Sequence, residues 1–182
     1  MEQVYNTGIY RKGKYNTSKD KKAYTLWKSI LQRCYDEKSL VKFPTYRGCN
    51  VCDEWIYFQT FAEWFYQNYI DGYTLDKDIL GDGKLYSPST CCFVPNHVNN
   101  IIHINKHKQT ELPVGVVVQD GKYRVRVNTL TKKKQHIGYF DNEIDAVNAY
   151  KQAKIKVISD VTRHYNLPNI IKESLINKLF AA

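Results

Sequence analysis

The stretch "VGVVVQDGKYRVRVN", residues 114–128, leaves little choice of fold. Two strand-like runs flank Asp120-Gly121, a dipeptide that tolerates the positive φ needed at both central positions of a type I′ hairpin. A third run, "KQHIGYF" (134–140), follows the Thr/Lys-rich turn "TLTKKK". "NEIDAVNAYKQAKIKVIS" (142–159) then has helical periodicity, with Ile144, Val147, Ala149, Tyr150 and Ala153 suited to lie against a sheet. Three antiparallel strands packed on one helix are therefore expected. Alternation in "KYRVRVN" sends Tyr123, Val125 and Val127 towards the helix, and Arg124, Arg126 and Asn128 to the opposite face. On the third strand Lys134 and His136 share one face while Ile137 takes the other.

Charge is segregated along the 182 residues. Residues 1–22 carry six Lys/Arg against two acids, residues 23–105 seven against nine, and residues 106–182 fourteen against seven. Basic ends can neutralise phosphates, the sequence-independent part of nucleic-acid affinity, and an acidic middle suits a divalent cation. The first 22 residues are polar and basic and read as a flexible arm. No run of eighteen apolar residues and no secretory leader pattern is found, so an intracellular protein with reduced cysteines and no membrane span is expected.

Between the ends, "YTLWKSILQRCY" (24–35) and "VCDEWIYFQTFAEWFYQNYI" (51–70) read as amphipathic helices, the second with Trp55, Phe58, Phe61, Ala62 and Phe65 on one face. "GYTLDKDIL" (72–80) and "STCCFVP" (89–95) read as strands, and Pro95 opens a helix, "NHVNNIIHINKH". Glu111-Leu112-Pro113 marks a boundary, and "LPNIIKESLINKLF" (167–180) is a last amphipathic helix that packs back or meets a protein partner. The fold class is α+β. The expected division is an arm (1–22), a central module (23–110), a sheet-and-helix unit (111–165) and a C-terminal helix (166–182).

On "VGVVVQDGKYRVRV" and "HIGYFDNEIDAVNAYKQAKIK", residues 112–160 resemble the Apetala, or ethylene-response-factor, type of DNA-binding domain. That family reads double-stranded DNA with its sheet, which implies Gln119, Arg124, Arg126, Asn128, Lys134 and His136 as contacts. The family's usual tryptophans are missing, and Val117 stands where it has an arginine.

Residues 24–103 are similar to HNH-type endonuclease-like proteins of bacteriophages, on "LWKSILQRCY", "VCDEWIYFQTFAEW" and "LDKDILGDGKLYSPSTCCFVPNHVNN". The resemblance implies a ββα-metal module holding Mg²⁺ or Mn²⁺ through Asp76 and Asn99, with Asn100 or His103 as alternatives in another helix register. Asp78, two residues on and on the same strand face as Asp76, adds a second carboxylate. Where many such enzymes have a general-base histidine, this chain has Lys77, which at its ordinary pKa is protonated at pH 7 and takes no proton from water. Lys77 then acts as a point charge on the scissile phosphate, and His97 or His103 supplies the base. The bland alternative is a surface charge cluster at Asp76-Lys77-Asp78. Cys49 and Cys52, with Cys91-Cys92, have zinc-like spacing, but an adjacent Cys-Cys pair seldom supplies two ligands, and core thiols are the preferred reading. Three functions stay open: a phage homing or nicking endonuclease targeted by its sheet, an inactive DNA-binding regulator, and a phage inhibitor of a host nuclease or defence protein.

Overall fold

The computed structural model describes residues 2–96, 98, 111–131 and 134–181. The chain is mixed α and β and divides into two compact units, Met1–Phe93 and Val94–Ala182. The division falls earlier than the expected 110/111 boundary, because residues from Val94 onward cluster with the C-terminal part. None of the described helices is long and apolar enough to cross a membrane.

In the first unit, β1 (Glu2–Val4) and β2 (Gly8–Tyr10) form an antiparallel hairpin, turned by Tyr5 and Asn6 in the left-handed region. Helix α1 (Lys21–Tyr35) buries Trp27, Ile30, Leu31 and Cys34. A short α2 (Glu37–Lys42) follows, capped by the Asp36 carboxylate on the Ser39 amide. Helix α3 (Phe58–Asn68) buries Phe58, Phe61, Ala62 and Phe65. The core is strongly aromatic, and within it Trp27 Nε1 donates to the Trp55 carbonyl at 2.7 Å. The second helix is shorter than its periodicity suggests. Asn50–Val51 (β3) pairs in parallel with Leu85–Tyr86 (β5), a 3₁₀ turn holds Asp53–Ile56, and Tyr57 bridges Ile9 in extended conformation. Trp55 still reaches the core, from that turn.

The basic arm is not flexible. Gly8 lies so close to Trp27 and Leu31 that a Cβ there would collide with both side chains. The Tyr15 amide donates to Gln59 Oε1 at 3.0 Å, and Gln59 Nε2 donates back to the Tyr15 and Arg11 carbonyls at 2.8 and 2.9 Å. Lys14 pairs with Glu63 at 2.8 Å, and Tyr66 donates to Asp20 at 2.7 Å. A polar sequence docks here because α3 presents polar partners along its exposed side, which composition alone does not reveal.

Strand β4 (Tyr73–Asp76) pairs with β6 (Cys92–Pro95), and the chain is helical at Asn96 and Val98. In the second unit β7 (Val116–Gln119), β8 (Lys122–Asn128) and β9 (Lys134–Phe140) form an antiparallel sheet in that order. Asp120 and Gly121 both take positive φ at its first turn, 50° and 74°, as a type I′ hairpin requires. Helix α4 (Glu143–His164) packs on all three strands, its N-terminus capped by Asn142 Oδ1 on the Asp145 amide at 2.9 Å. Its buried face runs through Ala146, Tyr150, Lys154, Val157, Ile158 and Val161. Ile144, expected against the sheet, is instead exposed, since the buried face starts two positions later, at Ala146. Helix α5 (Asn169–Ala181) packs back on α4 through Ile171, Leu175 and Leu179.

Candidate functional site

The ladder of the three-stranded sheet fixes which side chains share its outer face. Val116 and its partner Val125 are fully buried, Val127 is buried and Tyr123 half-buried. The next register positions pair Val117 with Arg124 and Gln119 with Lys122. On the other side Arg126 pairs with His136 and Asn128 with Lys134. Gln119, Arg124, Arg126, Asn128, Lys134 and His136 thus stand together on the face opposite α4. Strands lie about 4.8 Å apart, so this three-stranded face is about 10 Å wide, against a major groove of about 12 Å.

Simple alternation missed one feature. The register shifts between Val125, opposite Gly138, and Arg126, opposite His136, so Ile137 is an extra residue on β9. A bulge reverses the parity of everything beyond it. Tyr139 therefore joins the outer face opposite Arg124, 52% exposed, with its ring 5.1 Å from that of His136. The glycine inside the run, Gly138, was the available signal. Lys122, also on this face, is tied to Asp141 at 2.9 Å. Arg124 Nε and Gln119 Oε1 are buried, yet neither has a hydrogen-bond partner among the described residues. Buried polar atoms normally have partners, so the face holds unused bonding capacity.

The Asp76-Lys77-Asp78 cluster is organised differently from a two-carboxylate strand. Asp76 is buried, and its Oδ1 accepts the Asp78 amide at 2.8 Å and the Ile79 amide at 2.7 Å. These bonds end β4 at Asp76 and turn the chain, so Asp78 does not continue the strand beside it. Asp78 Oδ1 instead pairs with Lys77 Nζ at 2.7 Å. Gly83, at φ 81°, leaves room for that carboxylate, which a Cβ would strike. The Lys77 ammonium, 9% exposed, lies 5.6 Å from the Tyr46 ring centroid and 5.7 Å from that of Tyr86, within cation–π range. Burial pulls the Lys77 pKa down, but the hydrogen bond to Asp78 and its charge outweigh it and move the pKa up. Lys77 is thus a charged, enclosed group. Its partner is Asp78 rather than a substrate.

One of the two carboxylates is occupied by an ammonium, and no group of three or more His, Cys, Asp or Glu side chains comes together among the described residues. His97, Asn99, Asn100 and His103 lie outside the described residues. Cys49 donates to the Gly83 carbonyl at 3.5 Å, and burial pushes the Cys91 and Cys92 thiols up to about 12. No family model, curated protein or solved structure matches the chain.

Proposed function

We propose that the chain is a DNA-binding protein that reads duplex DNA with the outer face of its three-stranded sheet. The observation that carries this is the ladder register, which gathers Gln119, Arg124, Arg126, Asn128, Lys134 and His136 on the face away from α4. Arginine bonds guanine O6 and N7, while asparagine and glutamine bond adenine N6 and N7. A face of this width, with two arginines on its central strand, matches that donor pattern. The test is fluorescence anisotropy on a pool of duplexes across a salt series. Each phosphate contact made by the protein contributes a slope of about −0.9 in log K against log salt. Arg124→Ala and Arg126→Ala should each weaken binding to a selected duplex about tenfold or more. Binding that ignores both substitutions, or is flat in salt, removes the proposal and points to a protein partner.

A second reading, metal-dependent nicking at the Asp76 turn, draws on the pairing of β4 with β6 and on the helical residues Asn96 and Val98. Both amide bonds fall on Asp76 Oδ1, so the turn does not use the other carboxylate oxygen. Supercoiled plasmid incubated with Mg²⁺ or Mn²⁺ decides it. Nicking that disappears in Asp76→Asn supports the reading, and intact plasmid under both metals leaves a binder.

A further inference from the structure

On the outer face of the sheet, Arg124 stands between two side chains that carry no charge. Its ladder partner is Val117 on β7 and Tyr139 on β9. Arg124 is half-buried, and its Nε is covered without a hydrogen-bond partner among the described residues. The two flanks differ in kind. Tyr139 has a hydroxyl, and its ring is already paired with that of His136 at 5.1 Å. Val117 is half-buried and wholly aliphatic, with neither donor nor acceptor on its side chain. Arg126, two residues further along β8, has no such neighbour. Its amide donates to the Gly115 carbonyl at 2.8 Å on one side, where glycine offers no side chain, and His136 is its partner on the other.

We infer that Val117 makes the sheet select a pyrimidine with a 5-methyl group in the base pair next to the guanine held by Arg124. This rests on the sheet reading proposed above and adds a base to it. Directly opposed residues on neighbouring strands have Cβ atoms about 4.5–5.5 Å apart, and successive bases are spaced by about 3.4 Å. With Arg124 on guanine O6 and N7, Val117 therefore lies over the adjoining base pair. On the major-groove edge of a base the group that an aliphatic side chain covers favourably is the methyl of thymine, whereas the cytosine N4 amino group needs an acceptor. Valine supplies none, so an unmethylated cytosine below it loses a water partner and gains nothing. The same methyl is carried by thymine and by 5-methylcytosine. Selectivity of this kind is confined to the Arg124 row, because the Arg126 row has no aliphatic side chain.

The test is fluorescence anisotropy of the full chain on the duplex selected from the pool, with each thymine replaced in turn by deoxyuridine, which keeps the pairing groups and lacks the methyl. At one thymine, beside the guanine that Arg124→Ala no longer discriminates, the replacement should weaken binding about fourfold, the worth of one buried methyl. The factor should hold across the salt series, since an apolar contact releases no counterion. Val117→Ala should remove the difference between thymine and deoxyuridine at that position, with circular dichroism as the check on the sheet. In the parent chain, 5-methylcytosine at that position should bind about fourfold more tightly than cytosine, and its rank against thymine identifies the source of the methyl. The base analogues act on the parent chain, so the outcome does not depend on how a variant folds. The inference is overturned if the selected duplex has no thymine beside that guanine, if deoxyuridine there has no effect, if 5-methylcytosine is no better than cytosine, or if the methyl effect survives Val117→Ala. In each of these cases the sheet reading stands as long as Arg124→Ala and Arg126→Ala weaken duplex binding. A chain that binds no duplex, or binds it regardless of both arginines, overturns the two together.

Discussion

Replacing Asp76 tests whether this residue is first a structural cap. Its buried Oδ1 accepts the amides of Asp78 and Ile79 at 2.8 and 2.7 Å, and hydrogen bonds to a charged group are worth about 1.5–3 kcal/mol each. The two amides do not lose equally. Ile79 is 4% exposed, so its amide cannot turn to water, whereas the Asp78 side chain is 46% exposed and its amide lies where water can reach. One full loss of about 2 kcal/mol and a partial loss of about 1 give roughly 3 kcal/mol for Asp76→Ala. Asp76→Asn keeps an oxygen in place for both amides and forfeits only the charge, so about 1 kcal/mol is expected. Urea unfolding followed by tryptophan fluorescence measures this cleanly, because all three tryptophans, Trp27, Trp55 and Trp64, lie in the first unit. If both variants unfold within about 0.5 kcal/mol of the parent chain, the capping argument is wrong. The order matters for any cleavage assay as well. Loss of nicking in Asp76→Ala is explained by a broken turn, whereas loss in Asp76→Asn implicates the charge.

Three further outcomes are expected. Gly8→Ala places a methyl group against Trp27 and Leu31 and should destabilise the first unit by about 1–3 kcal/mol, while exposing Arg11, Lys12 and Lys14 to limited trypsin digestion. Gly115→Ala drives a Cβ into the Arg126 carbonyl and the Tyr150 ring and should cost the second unit a similar amount, read by far-UV circular dichroism. The two units should also respond oppositely to pH between about 9 and 10.5. Burial lowers Lys154 to about 8 from 10.5, so the unfolded chain binds the extra proton and the second unit gains stability as pH rises, a gain absent in Lys154→Met. Burial raises Cys34, Cys91 and Cys92 to about 12 from 9.0, so the unfolded chain loses those protons first. The first unit therefore loses stability as pH rises past 9, and parallel slopes for the two units would refute this assignment.

The sheet was the most legible part of the chain because local rules suffice for it. The Asp120-Gly121 turn fixes the register of the first two strands, and alternation then assigns every side chain of β8 to a face. Legibility failed at Ile137, where one extra residue reversed parity and brought Tyr139 beside Arg124. It failed again in residues 1–22, whose composition is that of a solvated arm. Their docking depends on Gln59 and Glu63, more than forty positions away, and no local pattern reports such partners. The strands β3 and β5 are two residues each, too short for any periodicity to register, and pair in parallel across a segment that includes α3 and β4.

The Asp-Lys-Asp triplet shows the same limit at the level of chemistry. As a sequence it offers two carboxylates on alternate positions of a strand, the spacing that would aim both at one cation. The strand, however, ends at the first of them, because a buried aspartate is an excellent acceptor for the next two free amides in its own chain. That local bond turns the backbone and releases Asp78 to meet the lysine between them. Lys77 in turn finds Tyr46 and Tyr86, residues that sequence spacing could not have placed beside it. Arg33 lies 5.6 Å from the same Tyr46 ring, so two cations share one aromatic ring. A cluster that sequence alone reads as catalytic is thereby held as an internal ion pair. The arginines of the proposed reading face, Arg124 and Arg126, stand instead on the central strand of the sheet, opposite Tyr139 and His136.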